Sequence, residues 1–210
     1  MRELLLVRYG EIFLKGLNRP TFIRALVKRI KHAVKDLGGN VTMNDSRIFV
    51  TDATDMTEAI RLIGELRDEF NIPLINITMG NPYKNPHVNR PYDKGNYVPP
   101  EHPFEGLARV MKGVSEIQHA MPDLPVLGSA FSYLRQFSPN LAAGMVEGGH
   151  CAMAGFGRMA FAHPQFVREL REGGDMNAKA SCVTCGGCAV LLRSGTPAGC
   201  IIRDREVYHL

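Results

Sequence analysis

At 210 residues the chain has room for one domain or two small ones, and 45% apolar with 22% charged residues is an ordinary balance for a globular protein. No apolar run nears the ~20 residues that span a bilayer, and Leu4 to Val7 is too short for a signal-peptide core, so the expected place is cytoplasmic with no membrane partner. The net charge of +4 is uneven: residues 1–50 hold ten Lys/Arg and four Asp/Glu, the remainder 15 and 17, which suggests two parts.

The segment Glu3 to Arg8 (ELLLVR) reads as a strand. Asn18-Arg19-Pro20 then opens a helix that runs to about Leu37 and stops at Gly38-Gly39. Phe22, Ile23, Leu26, Val27, Ile30, Ala33 and Val34 recur at helical spacing, and Arg24, Lys28, Arg29, Lys31 and Lys35 take the other face. That basic face fits a nucleic acid partner or a merely solvated helix. Two strands near 40–43 and 47–51 flank the turn Asn44-Asp45-Ser46. A helix from Thr57 to about Glu69 and a strand from Leu74 to Met79 complete the order βαββαβ, a ferredoxin-like plan.

Six prolines between Pro82 and Pro103 predict a long functional loop without a helix. A helix from about Phe104 to Ala120 and an apolar run, Leu124 to Leu127, follow. Next comes Gly128-Ser129, then a helix from Pro139 to Glu147 and a second apolar run, Cys151 to Phe156, ending in Gly157-Arg158. Strands that alternate with helices and end in glycine have the rhythm of a (β/α)8 TIM barrel. About three of its eight units are expected here, so an unpaired edge would remain for the first part or a second copy to cover. Glycines after two strands, with an arginine fork beside them, form a pattern that cradles phosphate. The expected organisation is 1–56 ferredoxin-like βαββα, 57–178 partial barrel and 179–210 cysteine-rich tail. A truncated or fused reading frame would account for the incomplete barrel.

Two stretches resemble known families. RYGEIFLKGLNRPTF, from Arg8 to Phe22, with the later LGG and RIFV segments, resembles the start of the tRNA 4-thiouridine synthetase family. The likeness implies docking of tRNA, with Arg8, Lys15, Arg19, Lys28 and Arg29 as phosphate contacts. INITMGNPYKNPHVNRPYD, PPEHP, PVLGSAFSYLRQFSPNLAAGMVEGG and AGFGRMAFAHP look like the C-terminal half of the NADH:flavin oxidoreductase or old yellow enzyme family, in its iron–sulfur 2,4-dienoyl-CoA reductase-like branch. That likeness implies an FMN-dependent ene-reductase taking electrons from NAD(P)H to a small molecule with an activated C=C bond. Gly128, Ser129, Gly157 and Arg158 would hold the FMN phosphate, and Phe156 would sit beside the flavin. Tyr83, His87, Asn89, Arg90 and Tyr92 would face the substrate. The alternative is a tRNA-binding module joined to a vestigial barrel fragment.

Four of the five cysteines fall at Cys182-x2-Cys185-x2-Cys188-x11-Cys200. Four thiolates so spaced fit a 4Fe-4S cluster or tetrahedral zinc, and free thiols are the third reading. The flavin-family resemblance favours the cluster. Cys151, inside an apolar run, reads as core.

Overall fold

A computed structural model describes residues 3–8, 24, 27, 28, 30–32, 40–44, 47–53, 56–80, 85–93 and 97–209. Strands β1 (Glu3–Arg8), β2 (Asn40–Asn44) and β3 (Arg47–Ala53) form an antiparallel sheet in the order β1-β3-β2. Ile48 of the central strand lies opposite Val7 on one side and Met43 on the other. Arg24, Val27, Lys28, Ile30, Lys31 and His32 are helical. Ile30 is buried and shares a cleft with Leu62 and Leu66 of the next helix, whereas Arg24, Lys28, Lys31 and His32 are exposed.

Helix α1 (Met56–Phe70) buries Ala59, Leu62, Ile63 and Leu66, a stripe at three- and four-residue spacing. On its solvent side Arg61 pairs with Glu58 at 2.9 Å and also with Glu65, one turn away in each direction. Leu62 and Leu66 face Ile30, while Ile63 belongs to the core of the second layer. Helix α1 thus joins the two parts of the chain.

The second layer is a parallel sheet of β4 (Ile75–Asn76), β5 (Val126–Gly128) and β6 (Met153–Ala154), in that order. Ile75 is paired with Val126, and Leu127 with Met153. Between β4 and β5 run α2 (Pro86–Asn89) and α3 (Pro103–Ala120). Between β5 and β6 lie a 3-10 helix, Phe131–Phe137, and α4 (Ser138–Glu147). Val110, Val114, Ile117, Val126 and Phe131 are fully buried where α3 meets the sheet. Gln118 fixes the entry to β5: its amide donates to the carbonyls of Met121 and Leu124 and accepts from the Val126 N–H at 3.0 Å. A buried amide so fully satisfied stabilises the turn it spans. The chain then passes through α5 (Gly157–Ala162), α6 (Phe166–Arg171) and α7 (Gly187–Arg193). Met159, Ala162, Phe166, Met176 and Cys182 make a second, smaller core there.

Several expectations change. The strand expected over 74–79 is two residues long, because the backbone leaves the ladder at Ile77. It pairs with β5, so one sheet does not run through both parts. The proline-rich loop does hold a helical turn: a proline in the first turn, Pro86, loses no hydrogen bond there. The architecture is α/β with a small three-stranded parallel sheet, and a partial TIM barrel is a finer statement than these short strands carry. No helix among the described residues is long and apolar enough to cross a membrane.

Candidate functional site

Three places gather chemistry, and the first is the basic helix. Arg24, Lys28 and Lys31 lie three to four residues apart, so they stack on one helix face, and all three are exposed. Ile30 points away from them into the protein. Of the other expected phosphate contacts, Arg8 ends β1 opposite Arg47, and Lys15, Arg19 and Arg29 lie outside the described residues.

The second place is the expected phosphate cradle. Several of its parts already have protein partners. The Ser129 hydroxyl donates to the Ile77 carbonyl at 3.2 Å, and the Gly128 carbonyl accepts from the Gly155 N–H at 2.7 Å. A Cβ on Gly128 would sit 3.2 Å from the Phe131 ring and 3.3 Å from the Cys151 sulfur, so close packing alone calls for glycine there. Phe156 packs against Phe131 and Phe166, with ring centroids 5.6 and 5.1 Å away. Gly157 opens α5 with free space where a Cβ would be. Arg158 turns inward: one Nη donates to the Pro91 carbonyl at 3.4 Å, and the other is buried without a hydrogen-bond partner.

What Arg158 faces is the cysteine loop. Cys182, Cys185, Cys188 and Cys200 line one cavity of about 20 Å³ together with Arg158 and Arg203. Burial lowers the pKa of the Arg158 guanidinium, and the nearby thiols work against that. Burial likewise pushes the Cys182 and Cys188 thiols up, opposed by Arg158 in both cases. The loop shape is specific. Thr184 has φ of 55° and Gly186 φ of 81°, and the Thr184 N–H donates to the Cys182 sulfur at 3.3 Å. A β-branched residue at positive φ is strained and is held there by its surroundings. Cys151 is buried apart from this set, in the core around β5, as its apolar context suggested.

The third place is the loop before α3. His87 is buried, its Nδ1 2.6 Å from the Tyr97 hydroxyl and its Nε2 3.8 Å from Glu101. Glu101 receives both terminal nitrogens of Arg109, at 2.8 and 2.5 Å, and these hydrogen bonds hold its carboxyl below the usual range against the pull of burial. Burial, then a hydrogen bond donated to Tyr97, pushes the Tyr92 hydroxyl well up. Among the residues expected to face a substrate, His87 and Tyr92 are buried, Asn89 has a buried amide nitrogen without a partner, and Tyr83 lies outside the described residues. The partners Tyr97, Glu101 and Arg109 were missed, since spacings of 8 to 14 residues across a loop leave no periodic signal.

Comparison with known proteins covers the first third of the chain. Residues 4–67 match the family described as the ThiI ferredoxin-like domain. A probable tRNA sulfurtransferase of Acetivibrio thermocellus is 41% identical over 70 residues, 31% of this chain and 18% of that protein. One of Caldanaerobacter subterraneus is 46% identical over 61 residues, 29% of this chain and 16% of that protein. One of Natranaerobius thermophilus is 36% identical over 76 residues, 36% of this chain and 18% of that protein. The chain thus spans less than a fifth of the length of these relatives. No solved structure matches it.

These findings correct two expectations. The flavin oxidoreductase reading, with FMN, NAD(P)H and an activated C=C substrate, has no support, because the matched family and relatives belong to tRNA sulfur transfer. The 4Fe-4S cluster and zinc are also withdrawn. Among the described residues no three His, Cys, Asp or Glu side chains are set to hold a metal ion.

Proposed function

We propose that the first part of this chain is a tRNA-docking module of the tRNA sulfurtransferase type. It would bind the RNA backbone through the exposed face of its basic helix. The observation that carries the reading is the stack of Arg24, Lys28 and Lys31 on the face opposite buried Ile30. Side chains one turn apart lie ~5–6 Å from each other, a spacing close to that of successive phosphates along a strand. Contacts of this kind hold and orient an RNA without reading its bases. The match over residues 4–67 supports tRNA as the nucleic acid. The residues named as further phosphate contacts, Arg8, Lys15, Arg19 and Arg29, extend the same proposal.

The test is binding of labelled tRNA to the full chain as salt is raised. Each phosphate contact adds about 0.7 to 0.9 to the slope of log affinity against log salt. Three contacts give a slope near −2 to −3, and Lys28→Glu lowers its magnitude. Affinity that ignores both salt and Lys28→Glu contradicts the proposal.

A further inference from the structure

The tRNA reading does not use the thiol pocket. We propose that this pocket is a peroxide-responsive dithiol, in which surface Cys185 is oxidised first and buried Cys182 closes a disulfide behind it.

Four observations lead there. Cys185 is exposed while Cys182 is buried, and both line the same cavity, so an oxidant meets one thiol with a second directly behind it. Only two residues separate them, and the positive φ of Thr184 turns the loop back on itself between the two. The Thr184 N–H already donates to the Cys182 sulfur at 3.3 Å, which holds that sulfur within the turn. Finally, the Arg158 guanidinium faces Cys182, Cys188 and Cys185, and one of its buried nitrogens has no hydrogen-bond partner. That cation opposes the effect of burial on the Cys182 and Cys188 thiols beside it. Accessible thiols with a resolving partner are the ones that cycle between thiol and disulfide, a transient form that reducing compartments tolerate.

The chemistry balances with a hydroperoxide as oxidant. The Cys185 thiolate attacks the distal peroxide oxygen. The O–O bond breaks, the leaving alkoxide takes a proton, and Cys185 becomes a sulfenic acid. The Cys182 sulfur then attacks the Cys185 sulfur, and the hydroxyl leaves as water with the Cys182 proton. Two thiols are oxidised, and one peroxide is reduced to an alcohol and water. A dithiol reductant reverses the change by exchange.

The experiment treats the reduced full chain with near-stoichiometric hydrogen peroxide, then alkylates it and measures intact and peptide masses. Two of the five cysteines are expected to escape alkylation, cross-linked as Cys182–Cys185, and dithiothreitol restores both. Cys185→Ser should leave Cys182 fully alkylated. Arg158→Gln should slow the loss of Cys185 several-fold, and Arg158→Lys should recover most of the rate. Far-UV circular dichroism confirms that each variant is folded, and Arg158→Lys carries the charge test if Arg158→Gln is not. Cys151, buried elsewhere, should keep its alkylation throughout. The proposal is overturned if Cys185 goes directly to sulfinic acid, if the disulfide forms without it, or if Cys151 is lost as fast.

Discussion

Arg24, Lys28 and Lys31 of the basic helix stand in solvent, whereas in the second part Arg158 is turned inward with a nitrogen that has no partner. The sheets behind them differ in the same sense. The antiparallel sheet has strands of five to seven residues, and the parallel one has strands of two or three. Long antiparallel ladders carry their own backbone hydrogen bonds. Short parallel strands depend on the helices packed over them, and Phe131, Val114 and Ile117 supply that packing. Charge on the basic helix of the first part is exposed. Charge in the second is placed to influence neighbouring side chains.

If the second part depends on its side-chain core, the largest effect falls at Phe131. Phe131→Ala empties a site that is fully buried and should cost about 3–5 kcal/mol, read from urea denaturation. A change below about 1 kcal/mol would mean that the parallel sheet holds itself. Next is Gly199→Ala. A Cβ there would overlap the Tyr208 ring, so the tail around the thiols should lose about 1–3 kcal/mol through overpacking, with a matching drop in thermal midpoint.

The Glu101–Arg109 pair gives a smaller, pH-dependent effect. Its folded carboxyl lies below the ordinary Glu value, chiefly through the hydrogen bonds from Arg109. A depressed carboxylate stabilises the fold above its unfolded pKa, about 4.3, and that share is lost as pH falls through the folded value. Thermal midpoints of the natural chain should therefore drop more steeply than those of Glu101→Gln below about pH 4.5. Parallel curves would remove the pair from the account. The smallest stability effect belongs to the exposed helix face, where Lys28→Ala should stay within about 0.5 kcal/mol, so any loss of RNA binding there is read free of unfolding.

Much of the first part was legible because its signals are local. The strand Glu3–Arg8 follows from a short apolar run, and the spacing of Ile30 against Lys28 and Lys31 from a period of 3.6, and both appear where expected. Helices α1 and α3 were placed within one residue at each end, since each carries an apolar stripe at helical spacing. The second part misled in two ways. Gly128 and Gly157 read as a phosphate cradle, yet Gly128 makes room for Phe131 and Cys151, while Gly157 has open space where a Cβ would be. Sequence cannot tell a glycine that lets a ligand approach from one that lets a side chain approach. The cysteine spacing grouped four thiols that do line one cavity, but it carried no sign of Arg158 beside them or of which thiol is exposed. The ring of His87, Tyr97, Glu101 and Arg109 is assembled by the loop's path alone.

The contrast between outward and inward cations is tested most directly by fluorescence anisotropy of labelled tRNA, with the full chain, from about 50 to 200 mM salt. The natural chain should weaken steeply over this range. Joint replacement of Arg24, Lys28 and Lys31 by glutamate should cut affinity at least tenfold and flatten the slope by about 2 or more. Arg158→Gln should leave both within about twofold, because that guanidinium faces protein rather than solvent. Equal losses from the two sets, or no loss from the helix set, would contradict the assignment of tRNA docking to the basic helix.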